Sequence, residues 1–124
     1  MTYKHVSISV GSVFALLAMV LIFVPEIIYW LFQVAQNETA DFLAKRAGVL
    51  FIGFATLLIV SRNAKASPAR TAICVALSVS MFAMAALGIY EYGRGFAGIG
   101  IWVAILTEVV IVSAFLYVDR SARA

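Results

Sequence analysis

Four apolar runs decide what this chain can become. They are "VSISVGSVFALLAMVLIFV" (6–24), "AGVLFIGFATLLIVS" (47–61), "TAICVALSVSMFAMAALGIY" (71–90) and "IGIWVAILTEVVIVSAFLYV" (99–118). Crossing about 30 Å of hydrocarbon takes roughly 20 helical residues. The second run reaches that length only by drawing in the preceding "FLAKR", which sets its span at about 43–61. Lys45 and Arg46 would then stretch toward the headgroups. None of the runs alternates apolar with polar residues as a barrel strand does, so each is read as a helix. A helix also satisfies its backbone within the segment, which lipid requires.

The same runs exclude a soluble fold. Of 124 residues, 65% are hydrophobic and 12% charged, with a mean hydropathy of +1.06. A soluble domain of this size buries only about two-thirds of the surface its unfolded chain exposes, too little to hide so much apolar area. The expected fold is therefore all-α. It is a single integral membrane domain over 1–124, a bundle of four transmembrane helices at about 6–24, 43–61, 71–90 and 99–118. After the first span, "EIIYWLFQVAQN" is apolar and aromatic but broken by Glu26, Gln33 and Gln36. That pattern suits a short interfacial helix. "RNAKASPAR" is a polar turn in which Pro68 breaks the helical path, and "EYGRGFAG" is a compact, glycine-rich connection. The first run exceeds an ordinary signal-peptide core and no A-x-A site follows it, so it is expected to stay as a span.

Charge speaks to topology rather than to nucleic acid, since the nine basic residues are scattered among apolar runs. Lys4, Arg62, Lys65, Arg70, Arg120 and Arg123 fall on one side, against Lys45, Arg46 and Arg94 on the other. The bias places both termini in the cytoplasm. A lone cysteine, Cys74, excludes an internal disulfide or a CxxC site and reads as packing. His5 has no second histidine to share a metal. No catalytic triad, phosphate loop, HExxH motif or converging carboxylate pair is present. No catalytic residue, metal or cofactor is assigned, and no enzymatic activity is expected. Glu91 and Arg94 are expected to form a surface ion pair, and Glu38 and Asp41 to introduce a helix with Thr39 as its cap.

One residue violates the apolar rule. Glu108 stands near the middle of the fourth run, where insertion of an acid costs roughly 2.5 to 3.5 kcal/mol. Its carboxyl must face protein or a wet cavity, or carry its proton. Gly100, Ala104 and Glu108 recur every fourth residue, so Glu108 shares a stripe with small residues that admit a neighbouring helix. Similar small stripes are Ser7, Gly11 and Ala15 on the first span, and Ala72, Ala76 and Ser80 on the third. By depth, Thr56, Ser78 and Ser80 are candidate partners for Glu108, with Arg46 reaching inward from farther out. The leading expectation is a neutral Glu108 hydrogen-bonded between helices. The alternatives are a proton, cation or substrate site, and an acid facing lipid.

The order of features resembles a group of small four-helix bacterial membrane proteins, loosely DoxX-like and of unknown function. The likeness is carried by Pro25 after the first span, Leu31 and Phe32 soon after it, and Arg46 before "LFIG". Arg62 at the end of the second span and "SPAR" (67–70) at the start of the third complete it. It covers roughly residues 20–75, implies an inner-membrane bundle, and transfers no catalytic residue. Glu108 lies outside it.

The expected role is association within the lipid bilayer, as a homo-oligomer or as an accessory subunit of a larger membrane complex. The alternative is a small transporter or channel in which Glu108 holds a proton or cation at mid-depth.

Overall fold

The computed structural model describes residues 1–123 as five helices. These are α1 (Tyr3–Phe23), α2 (Glu26–Phe32), α3 (Glu38–Val60), α4 (Pro68–Gly93) and α5 (Ile101–Arg123). Four of them, all except α2, are long and apolar enough to cross a membrane. The chain is an all-α four-helix bundle with one short extra helix after the first span. Large apolar side chains such as Leu16, Phe82 and Val110 remain about two-thirds exposed. Hydrocarbon, not water, suits such a surface.

Local chemistry sets where the helices begin. The α3 cap is Asn37, whose side chain accepts from the Ala40 N–H at 2.8 Å. Thr39, the expected cap, instead lies inside the first turn beside Glu38 and Asp41. Asn37 wins because its extended backbone points its carbonyl oxygen at that turn's free N–H groups. Pro68 does not interrupt a helix; it occupies the first turn of α4 behind the Ser67 cap, where its missing N–H costs nothing.

The long helices form two antiparallel hairpins, α1 with α3 and α4 with α5, joined mainly along α1 and α5. Buried positions step by four and then three residues: Ser7, Gly11, Phe14, Ala18 and Leu21 on α1, and Ala44, Gly48, Phe51, Ala55 and Leu58 on α3. On α4 the series is Cys74, Ser78, Met81, Ala85 and Gly88. This mean step of 3.5 is the signature of left-handed, knobs-into-holes packing. It corrects the expected every-fourth stripes. Ser7 and Gly11 are buried, Gly11 against Leu58 and Ile59 of α3, but Ala15, Ala72 and Ala76 are exposed on the outside of the bundle, because a step of four drifts around the helix and leaves the seam.

Close approach depends on the glycines of that seam. A Cβ on Gly48 would lie 2.7 Å from Ile22 Cγ1 and 3.1 Å from the Ala18 carbonyl oxygen. The backbone of α1 cannot yield there as a side-chain tip could. Gly53, on the outer face of the same helix, has open space around it.

The end of the bundle that carries both termini is tied by polar contacts. Tyr3 Oη and Ser61 Oγ are 2.8 Å apart, and the Arg70 guanidinium lies 4.9 Å from the Tyr3 ring centre. Arg70 also donates to the Ala64 carbonyl, and Thr71 Oγ1 donates to Asp119 Oδ1 at 3.0 Å. Asp119, itself buried, pairs with Arg123 at 2.6 Å. Toward this end, residues of all four long helices share one core around Phe14, Leu58 and Phe115. Toward the opposite end, Ala85, Ala97, Ile101 and Ile105 form a separate small cluster. The bundle interior is thus continuous near the termini and divided at the other end.

Gly48→Ala is expected to lower the thermal midpoint in detergent, at a cost of about 1–3 kcal/mol from overpacking. Gly53→Ala should leave the midpoint unchanged or raise it. Equal midpoints for the two variants would contradict this packing.

Candidate functional site

Where the interior divides, it opens. A cleft of about 430 Å³ is lined by all five helices, Leu17 and Phe51 among its walls, with Glu108 on its α5 side. A second cavity of about 290 Å³ reaches Glu108 from the other side, between Leu87, Gly88 and Ile101. Glu108 is seven residues beyond Ile101, about 10 Å along the helix axis. One turn before it, Ile105 belongs to the small cluster; one turn after it, Ile111 belongs to the main core. The carboxyl stands at the junction of the two.

Glu108 is 8% exposed, yet no side chain among the described residues hydrogen-bonds to it. The expected partners are engaged or aimed elsewhere. Thr56 is exposed and returns to the Ile52 carbonyl at 2.8 Å. Arg46 is exposed, with its guanidinium 5.8 Å from the Phe42 ring centre. Ser78 is buried, but its hydroxyl has no partner among the described residues. Ser80, half-buried on α4, lines neither cavity. The expected interhelical hydrogen bond is therefore corrected. Thr56 and Arg46 lie on the exposed face of α3, and Ser80 and Ser78 line neither cavity, although Ser78 is buried on the same α4 seam as Met81. Thr107, although it lines the cleft, donates to the Val103 carbonyl at 2.8 Å.

Gly100 and Ala104 also find different neighbours from those expected. Ala104 lines both cavities beside Glu108. Gly100 precedes α5, and a Cβ there would overlap the Leu31 carbonyl oxygen at the end of α2. The main chain needs this glycine because another main chain passes against it. Nearby, the Gly98 N–H donates to the Phe32 carbonyl at 2.7 Å. Gln33 ends α2 in a left-handed conformation, at φ 56°. So α2 straps one hairpin to the other across the end of the cleft, and its Ile27, Ile28, Leu31 and Phe32 help line that cleft.

A second contact fixes α2 to α3: Tyr29 Oη donates to Asp41 Oδ1 at 3.0 Å. Burial of the phenol, reinforced by the Asp41 carboxylate, pushes the Tyr29 pKa up to about 12. Nothing in the sequence singled out this pair. Tyr29 reads as one of several interfacial aromatics, and only the fold of the connection brings it to Asp41. Glu91 and Arg94, by contrast, pair at 2.6 Å in an exposed turn, as their spacing led us to expect.

Cys74 is buried and free. Among the described residues no three His, Cys, Asp or Glu side chains gather as metal ligands. Comparison with protein-family models, with curated proteins and with solved structures found no match. The site must be read from its own chemistry. That chemistry is one carboxyl, without a hydrogen-bond partner among the described residues, in an apolar cleft inside the bundle.

The Tyr29 contact makes docking of α2 depend on pH. The raised value favours the neutral phenol in the folded state. Its contribution is fully present below pH 10, the ordinary tyrosine value, and is lost as pH rises through about 12. Asp41→Asn should bring the Tyr29 titration back toward 10, followed by tyrosinate absorbance with Tyr29→Phe as the assignment control. An unchanged titration in Asp41→Asn would contradict the contact.

Proposed function

We propose that this protein is a small multi-pass membrane protein whose interhelical cleft binds a bilayer-dissolved molecule or ion, with Glu108 as the polar anchor at mid-depth. The observation that carries the reading is Glu108 on the cleft wall, a residue only 8% exposed whose carboxyl takes no hydrogen bond from any described side chain. An ionisable group at that depth is costly, and a structural role would consume its hydrogen-bonding capacity within the chain. Here that capacity is left for something from outside. A proton or cation site in a small transporter or channel has this chemistry. The bias of Lys and Arg, together with the DoxX-like resemblance, supports a bacterial inner membrane with both termini in the cytoplasm. The cleft would then open nearer the outer leaflet.

A second reading, helix association, is favoured by a separate observation. The outward face of α4 carries Ala72, Ala76, Ala83 and Ala86, all exposed and spaced by the same fours and threes as the internal seams when Val79 is included. Small residues on that rhythm admit a helix from another copy or another membrane protein. The two readings are compatible, since a bundle can bind a ligand and also assemble.

Glu108→Gln keeps the side chain's shape but cannot ionise. In liposomes it is expected to abolish proton- or cation-dependent flux while the helical circular dichroism and elution volume stay as in the parent. Flux no greater than through empty vesicles for the parent protein would overturn the lead reading. For association, Ala76→Leu combined with Ala83→Leu should shift the protein toward monomers in lipid nanodiscs. A parent protein that is monomeric at every protein-to-lipid ratio would remove that reading.

A further inference from the structure

Resting on the reading of Glu108 as a ligand anchor, we infer that the cleft takes a hydrophobic organic monocation. Such a ligand has a positive nitrogen or phosphorus centre wrapped in apolar or aromatic groups, and it binds with its charge on the Glu108 carboxylate.

Charge complementarity comes first. Among the described residues no lysine or arginine lines the 430 Å³ cleft, and Glu108 is the one ionisable side chain on its wall. An anion would find no positive partner there, and a neutral apolar molecule would leave the carboxyl unsatisfied in a low-dielectric site. A bare inorganic cation fits poorly for a different reason. Calcium and magnesium take six or more oxygen ligands, whereas this wall offers one carboxyl, and the Thr107 hydroxyl is already committed to Val103. An organic cation carries its own apolar shell and needs only a counter-charge.

The walls match that shell. Phe14 and Phe51 pack with ring centres 5.2 Å apart, and both line the cleft together with Phe32. Aromatic rings attract cations, most strongly where water is excluded. The volume falls in the range that accommodates a drug-sized molecule. A way in exists as well: Leu16, Ile27 and Val103 line the cleft yet are half exposed or more on the lipid-facing surface. A molecule dissolved in the bilayer can enter sideways.

Binding is coupled to a proton. α1, α2, α3 and α4 turn no ionisable side chain into the larger cleft. Glu91 borders the smaller cavity and is held by Arg94 at 2.6 Å. The exchange is therefore Glu108–COOH plus one monocation giving the Glu108 carboxylate–cation pair plus one released proton. Charge is conserved, and no bond other than O–H is broken.

The test uses methyltriphenylphosphonium against 1,1,1-triphenylethane, its neutral carbon counterpart with the same triaryl body and no hydrogen-bonding group, by equilibrium dialysis of the full chain in nanodiscs with protein-free nanodiscs as the baseline. The phosphonium is expected to bind with release of one proton in weak buffer, and more weakly as pH falls. Losing one member of a buried charge pair should make Glu108→Gln weaker by roughly thirtyfold or more. Glu108→Asp, which keeps the charge, should retain phosphonium binding and guards against a folding artefact. Phe51→Leu should weaken the phosphonium roughly three- to tenfold and leave the neutral probe unchanged. If the neutral probe binds as tightly as the phosphonium, or Glu108→Gln binds the phosphonium as the parent does, the inference is overturned. If the phosphonium fails to bind while a proton or potassium flux still requires Glu108, the ligand class falls and the anchor reading survives. If neither binding nor flux depends on Glu108, both fall.

Discussion

In hydrocarbon, helices gain nothing by hiding apolar surface from one another, because lipid tails are as apolar as leucine. What holds this bundle together is close backbone approach along seams of small residues, and the rest of the architecture follows from where those seams run. Gly11 against Leu58 and Ile59, and Gly48 against Ala18 and Leu21, bring α1 and α3 together. Gly88 against Ile105 does the same for α4 and α5. Within each hairpin the fit is tight. Between hairpins the contact runs mainly through α1 and α5, and there the packing opens into a cleft.

The ends of the bundle control that opening. Near the termini, Tyr3, Ser61, Arg70, Thr71 and Asp119 link residues from all four long helices around a shared core. At the other end the hairpins are tied by the strap: α2 crosses from one hairpin to the other, and its Phe32 carbonyl accepts from the Gly98 N–H. A bundle closed at one end and strapped at the other keeps an interior space that side chains do not fill. Glu108 occupies the wall of that space, and the same division of the core that creates the cleft leaves its carboxyl without a partner among the described residues.

The four spans and the short helix after the first were legible because length and hydropathy depend on position along the chain alone. Rotation about each helix axis was not. In water the buried face of a helix differs in chemistry from the exposed one. In lipid both faces are apolar, and the contrast that would reveal the inward side is lost. Ala15 and Ala18 are the same residue type on the same helix, yet Ala15 is exposed and Ala18 fully buried. Only the step of three after Gly11, to Phe14, distinguishes them. The same blindness paired Glu108 with Thr56, Ser78 and Ser80 by depth. Gly100 showed a further limit: its neighbour is the end of α2, a contact made by a connection whose path the sequence does not specify.

The central claim is that Glu108 is sheltered by the bundle, unpaired in it, and reachable from the bilayer. Carbodiimide labelling tests this directly, since a lipid-soluble carbodiimide adds to protonated carboxyl groups in apolar surroundings, while a water-soluble one finds exposed acids. Peptide mass spectrometry of protein labelled in liposomes should show the lipid-soluble reagent on Glu108 and the water-soluble reagent on acids such as Glu38 instead. If the lipid-soluble reagent leaves Glu108 unmodified while the protein remains folded, the carboxyl is paired or walled off, and the account is wrong.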